Sequence, residues 1–266
     1  MARIVVLSRR SVVHPRGGGA CRYVHEIFRR LTNSHSITVL SSGGRDLRAK
    51  PAQELMEWGI PEDNVDVVSP GCSSPIGPRA TLDERSPNTV ACVTRLMKYK
   101  GVQLAFMAFR RIVREFPEAK LVIAGAGPYQ DELERIAGDF GIEKNVDFLG
   151  RVSDESKFKL YREARVMISP SQREGFGMAV IEANSVGTPV VGWDVPGLRD
   201  SIVHNETGLL APFPDDQALA GEIIRLLNDD ETWERLSQNA RKWAASHTWD
   251  NSAKAFRRII QDTLNE

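Results

Sequence analysis

Two glutamates, Glu174 and Glu182, stand eight positions apart in the stretch Ser171-Gln-Arg-Glu-Gly-Phe-Gly-Met-Ala-Val-Ile-Glu182, and Gly175-Phe176-Gly177 follows the first of them. The run Arg165–Ser169 reads as a strand leading into this segment. Val180, Ile181 and Ala183 mark a helix that ends at Gly187-Thr-Pro189. Glu174 then belongs to a strand-to-helix loop, and Glu182 lies about two turns into the helix. The unpaired backbone N–H groups of a helix start form an anion site. The two glycines let a ligand come close to the backbone. A carboxylate on either side of a phosphate-binding helix start suits a ligand with both hydroxyls and phosphates, such as a nucleotide sugar. Two glutamates alone would more simply be solvated charges on a surface helix, so the weight falls on the loops around them.

Those loops hang on a regular alternation. Residues 3–8 read as a buried strand, followed by a loop with Gly17-Gly18-Gly19. Ala20, Tyr23, Val24, Ile27, Phe28 and Leu31 recur at helical spacing, and 36–41 form the next strand, giving one βαβ unit. A helix over Pro51–Trp58 and a strand over Asn64–Val68 follow. Residues 69–88 carry four prolines and two glycines and read as a linker. Beyond it, strands are expected at 89–94, 121–124, 146–149, 166–169, 189–192 and 208–210. Helices are expected at 102–116, 129–140, 155–164, 176–186, 216–227, 231–246 and 250–264. Strand–helix alternation implies an α/β fold with a parallel sheet covered on both faces. The expected domains are a short Rossmann-like N-terminal one over 1–68 and a larger one over 89–266.

Ligands of such sheets bind beyond the carboxyl ends of the strands, and each loop of interest follows such an end. After 89–94 come Arg95 and Lys100-Gly101; an arginine fork and a lysine point charge can both hold a diphosphate, though two exposed cations could equally be solvated. After 121–124 comes Gly125-Ala-Gly127-Pro128. This departs from the dinucleotide fingerprint, because Gln130 replaces the third glycine and no acid ends the next strand. It reads instead as a tight turn bringing backbone near a ligand. After 146–149 come Gly150, Arg151 and Val152, whose backbone could pair with a base edge.

The totals exclude several classes. There are 35 basic and 35 acidic residues, so the overall charge argues for no nucleic-acid partner. Residues 1–50 are locally basic, with ten Arg or Lys against Glu26 and Asp46, which suggests an anionic partner or a membrane surface. Cys21, Cys72 and Cys92 have neither metal nor disulfide spacing and fit a reducing cytoplasm. The opening apolar run is too short for a signal peptide, and no stretch approaches the ~20 apolar residues of a membrane span. The five histidines stand apart, and no Asp-x-Asp, Gly-x-Ser-x-Gly or clustered metal ligands occur. No metal and no resident cofactor are expected.

Taken together, Arg95 with Lys100-Gly101, Gly125-Ala-Gly-Pro128, Phe148-Leu-Gly150, Pro170-Ser171, Glu174-Gly-Phe-Gly177 with Glu182-Ala, Gly187-Thr-Pro-Val-Val-Gly192 and Thr207-Gly208-Leu-Leu closely resemble the retaining glycosyltransferases of family 4. That family has the GT-B fold of two facing Rossmann-like domains. The resemblance runs from about residue 60 to 266. It implies that Arg95 and Lys100 hold the diphosphate of a UDP- or GDP-sugar and that Glu182 binds ribose hydroxyls. Glu174 and the backbone of Gly175, Phe176 and Gly177 would contact the donor sugar, and the backbone of Gly150–Val152 would face the base. Gly125 and Gly127, with Gly18 and Gly19 of the N-terminal loop, would line the donor cleft. It further implies metal-independent transfer with retention to an acceptor that is a glycan, a lipid or a small molecule. Residues 1–68 are far shorter than that family's N-terminal domain. The segment that would carry its acceptor-side histidine is missing, and His14 and His25 do not match it. The alternatives are therefore a nucleotide-sugar-binding module that lacks catalysis or needs a partner chain for acceptor binding, and a different GT-B enzyme such as a sugar-nucleotide epimerase. So short a parallel sheet also leaves the apolar faces of Val5, Leu7, Ile37, Val39, Val65 and Val67 needing cover. The C-terminal helix over Asp250–Leu264, a second copy of the chain, or a membrane drawn by Arg22, Arg29 and Arg30 would supply it, and self-association is the favoured choice.

Overall fold

The computed structural model describes residues 3–8, 36–41, 68–72 and 79–265. The chain divides into two compact units, Met1–Gly71 with His247–Glu266, and Cys72–Ser246. In the first unit, β1 (Arg3–Ser8) and β2 (Ser36–Ser41) pair in parallel, with Val5 opposite Thr38 and Leu7 opposite Leu40. The last helix, Trp249–Asn265, belongs to this unit, not to the 89–266 body expected from the sequence. Its Ser252 hydroxyl donates to the Ser69 carbonyl at 2.7 Å. The glycine loop with Gly18 and Gly19, the helices expected at 20–31 and 51–58, the strand at 64–68 apart from its last residue (with Val65 and Val67), and the basic residues Arg22, Arg29 and Arg30 lie outside the described residues.

The second unit is a six-stranded parallel sheet. Its strands are β3 (Ser86–Val93), β4 (Lys120–Ala124), β5 (Val146–Gly150), β6 (Ala164–Ser169), β7 (Val190–Trp193) and β8 (Gly208–Ala211). They lie in the order β5-β4-β3-β6-β7-β8. This is the doubly wound order of dinucleotide-binding folds, and its direction reverses between β3 and β6. All six residues of β6 and all four of β7 are buried, as sheets covered on both faces require. The covering helices are α1 (Val102–Glu115), α2 (Gln130–Asp139), α3 (Asp154–Glu163), α4 (Met178–Ser185), α5 (Leu198–Ser201), α6 (Asp216–Asn228) and α7 (Asp230–Ser246). α1 buries Val102, Ala105, Phe106, Phe109 and Ile112, one face at helical spacing. Each large residue buried there contributes about 1.5–3 kcal/mol.

The expected linker is partly structured. Residues 82–84 form a 3-10 turn closed by a capping box from Thr81, and β3 begins at Ser86 instead of at 89. Between them Arg85 is 5 % exposed and donates to the carbonyls of Tyr161, Ala164 and Val186 and to the Thr188 hydroxyl, at 2.7–3.1 Å. Burial lowers this guanidinium to about 9, so it remains charged at neutral pH. Its plane lies 4.8 Å from the Trp233 ring, and Arg165 lies 5.4 Å from the same ring. This clamp ties together the amino ends of β3, β6 and β7, opposite the loops that carry the candidate site.

Candidate donor-binding site

The two loops that diverge at the switch point follow β3 and β6. The first, Thr94–Gly101, is locked to the neighbouring loops by a ladder continued past the sheet. Thr94 N donates to Ala124 O and Leu96 N to Ala126 O, each at 3.1 Å, and Gly125 N donates to Gly150 O at 2.7 Å. A Cβ on Gly125 would lie 1.7 Å from the Thr94 oxygen, and one on Gly127 would lie 2.1 Å from the Leu96 oxygen. These glycines are thus required by the approach of the Arg95 loop. The Gly-x-Gly follows β4, the second strand from the switch point, whereas the dinucleotide fingerprint follows the first.

Lys98–Lys100 form a 3-10 turn that ends on Gly101. Arg95 is exposed, and its Nη2 donates to the Tyr99 hydroxyl at 2.9 Å. The Lys100 ammonium lies 5.4 Å from the centre of the Tyr99 ring. Tyr99 therefore places both cations, and its carbonyl accepts from Gln172 N at 3.2 Å, which joins this loop to the one after β6.

In that second loop, Lys100 Nζ donates to Glu174 Oε1 at 2.5 Å, and the two side chains are 12 % and 17 % exposed. Ser171 Oγ donates to the same oxygen at 2.8 Å. The loop after β7 reaches the segment too: a Cβ on Gly197 would lie 2.3 Å from the Glu174 carbonyl oxygen. The helix expected to start at Phe176 starts at Met178, because Gly177 caps it in the left-handed region at φ 79°. The Phe176 side chain is buried with Cys72, Ile181 and Ala244 in a small cluster, so only its backbone is offered at the helix start.

Glu182 is held elsewhere, by α3. Its Oε1 accepts from Lys157 Nζ at 3.0 Å and its Oε2 from the Tyr161 hydroxyl at 3.2 Å. Burial alone would lower the Lys157 ammonium, but hydrogen bonds to Asp154 and Glu182 outweigh it and its pKa is raised. Tyr161 is raised well above the phenol range, by burial first and then by the Glu182 charge. Both groups therefore keep their protons against the carboxylate at neutral pH. A carboxylate has about four acceptor positions, so two donors leave capacity for a ligand hydroxyl. Gly150 turns at φ 64° with nothing near its missing Cβ, Arg151 is exposed, and Val152 packs on Ala91, Ala124, Leu160 and Ala164.

The model of the glycosyl transferases group 1 family matches residues 78–243. The chain belongs to that family. It is 32 % identical over 230 residues to a D-inositol 3-phosphate glycosyltransferase of Corynebacterium glutamicum, covering 80 % of this chain and 55 % of that one. It is 31 % identical over 254 residues to a GDP-mannose-dependent alpha-(1-6)-phosphatidylinositol monomannoside mannosyltransferase of Mycobacterium tuberculosis, covering 90 % of this chain and 65 % of that one. The chain thus spans about half to two thirds of the length of these relatives. Among solved structures, sucrose-phosphate synthase of Thermosynechococcus elongatus aligns with a TM-score of 0.72 at 24 % identity, covering 85 % of this chain and 58 % of that one. That likeness concerns the fold and agrees with the Rossmann-like, GT-B expectation.

Within this group 1 unit, Lys100 and Glu174 pair at the switch point and Arg95 joins them through Tyr99, while Glu182 stands on α4 against α3. Reading the sequence assigned Ser171 no role and missed the other residues that hold them: Tyr99, Lys157 and Tyr161. Lys157 and Tyr161 are four apart on one helix, a readable spacing, but nothing local names Glu182 as their partner. Among the described residues no group of His, Cys, Asp and Glu could hold a metal, and no helix is long and apolar enough to cross a membrane.

Proposed function

We propose that the Cys72–Ser246 unit binds a nucleotide sugar at the switch point and that the chain serves the transfer of its sugar to an acceptor, with retention of configuration as in family 4. The observation that carries this reading is the convergence of Arg95, Lys100 and Glu174 on the two loops that diverge between β3 and β6, where doubly wound sheets bind their ligands. Arg95 and Lys100 stand where a leaving diphosphate would develop charge, beside the start of α4. Glu182 takes the ribose hydroxyls, Glu174 the sugar, and the Gly150–Val152 backbone the base. In the transfer, the bond from the anomeric carbon to the phosphate oxygen breaks and a bond to the acceptor oxygen forms on the same face. The acceptor's proton goes to the departing phosphate. Two cations and a helix start supply this stabilisation without a metal.

The names of the two relatives put GDP-mannose first among donors to try and an inositol phosphate first among acceptors. The test is titration of the full chain with UDP and GDP, then turnover of the matching labelled sugar donor in chelator. Arg95→Ala should weaken diphosphate binding by about 1.5–3 kcal/mol, the range for a charge-assisted hydrogen bond. Binding of neither nucleotide would overturn the reading, and binding without turnover on any acceptor would leave a donor-binding module.

A further inference from the structure

We infer that Glu174 acts against the bare nucleoside diphosphate: its pairing with Lys100 makes the site favour the intact sugar donor over the product that remains after transfer. The inference rests on the proposed function, since it takes Lys100 as a diphosphate ligand. Its own basis is the ion pair. Lys100 Nζ sits 2.5 Å from Glu174 Oε1, both side chains are more than four-fifths shielded from water, and Ser171 Oγ holds the same carboxylate oxygen at 2.8 Å. The carboxylate is therefore fixed beside the ammonium, and the Gly197 loop and the Gln172–Tyr99 bond fix its backbone.

A diphosphate that recruits Lys100 must compete with this carboxylate for the ammonium and places its own charge near a like one. At such a shielded position the repulsion is poorly screened by salt. An intact donor brings sugar hydroxyls, which can donate to the carboxylate and offset the partial loss of Lys100. The nucleoside diphosphate lacks those of the transferred sugar and keeps only its ribose hydroxyls, which go to Glu182. One residue thereby strengthens the ground-state hold on the donor and weakens the hold on the product, and affinity differences of this kind act mostly through the off-rate.

The experiment is a set of titrations on the full chain, using UDP and GDP first and then the intact nucleotide sugar of whichever base binds. In Glu174→Gln, we expect the nucleoside diphosphate to bind about threefold or more tightly than in wild type, and the intact sugar nucleotide to bind more weakly. The tightening should disappear in the Lys100→Met background, because it acts through that ammonium. Glu174→Ala, which needs no amide packing, serves as the second variant, with circular dichroism as the check on folding. If wild type binds UDP or GDP and neither Glu174 variant binds it more tightly, the inference is wrong while the proposed function stands. If the tightening persists without Lys100, the inference is also wrong. If wild type binds no nucleotide, the proposed function itself fails.

Discussion

Gly101→Ala strikes the joint between the two loops of the candidate site. Gly101 sits at φ 71°, and a Cβ there would lie 2.0 Å from the Pro170 carbonyl oxygen. The left-handed conformation costs an alanine about 1 kcal/mol. Reaching even the tight limit of 3.0 Å would push the backbones apart by about 1 Å, which at the cost of overpacking adds about 1–3 kcal/mol. The sum, about 2–4 kcal/mol, corresponds to a drop in Tm of roughly 4–15 °C for a unit of this size. Gly221→Ala provides the contrast. It lies inside α6 with open space around its missing Cβ, so the substitution should gain about 0.5–1 kcal/mol from helix propensity. Thermal unfolding followed by circular dichroism reads both. Because Gly101 seats the Lys100 turn against the Glu174 loop, its variant should also lose roughly tenfold or more in diphosphate affinity. A Gly101→Ala chain melting within about 1 °C of wild type would refute the close approach and, with it, the account of how the loops are joined.

Three further outcomes follow from other contacts. Arg85→Met should cost about 3–5 kcal/mol, because it takes the guanidinium away from the buried Ala164 and Val186 carbonyls and leaves Tyr161 O only the Thr188 hydroxyl; denaturant unfolding measures it, and a loss under about 1 kcal/mol would mean the clamp is idle. Tyr161→Phe removes one of the two donors that orient Glu182 and should weaken nucleoside-diphosphate binding about three- to tenfold; calorimetric titration decides, and an unchanged Kd would show that Glu182 needs no such support. Glu234 is held below the usual carboxylate range, chiefly by its hydrogen bond from Arg79. Its contribution is therefore present above the ordinary value near 4.5 and is lost as pH falls through the lowered one. The pair is partly exposed, so the effect is about 0.5 kcal/mol or less, and Glu234→Gln should flatten that acid limb in a pH series of Tm values.

The alternation of strands and helices was legible because sheets covered on both faces write continuous apolar stretches, and Val166–Ile168 and Val190–Trp193 are short ones. The site was legible as types and order: Arg95, Lys100 and Glu174 each follow a strand. Their pairing was not, because the partners are 74 positions apart and no local pattern records that contact. Helix α4 starts later than its apolar residues suggest, since a left-handed glycine at 177 closes the frame. Short α5 offers too few residues for a period to show. Arg85 was the least readable: a charge in a stretch rich in proline and glycine reads as solvated, and its shorter hydrogen bonds go to residues 76 to 103 positions away. The last helix followed the expected span but not the expected domain, because the helical pattern carries no record of which body it joins.

Arg85 also bears on how the Cys72–Ser246 unit can be cut, moved or varied. Its guanidinium comes from the segment ahead of β3, yet it staples the strand ends farthest from Arg95 and Glu174. A piece begun at the expected boundary of 89 would leave this staple and the first residues of β3 behind, and should fail as an independent module. A piece begun at Cys72 keeps them. The same geography separates what keeps the unit folded from what it recognises: changes of donor preference written into the loops at one end of the sheet need not be compensated at the other, so such a scaffold can accumulate new specificities while its anchor stays as it is.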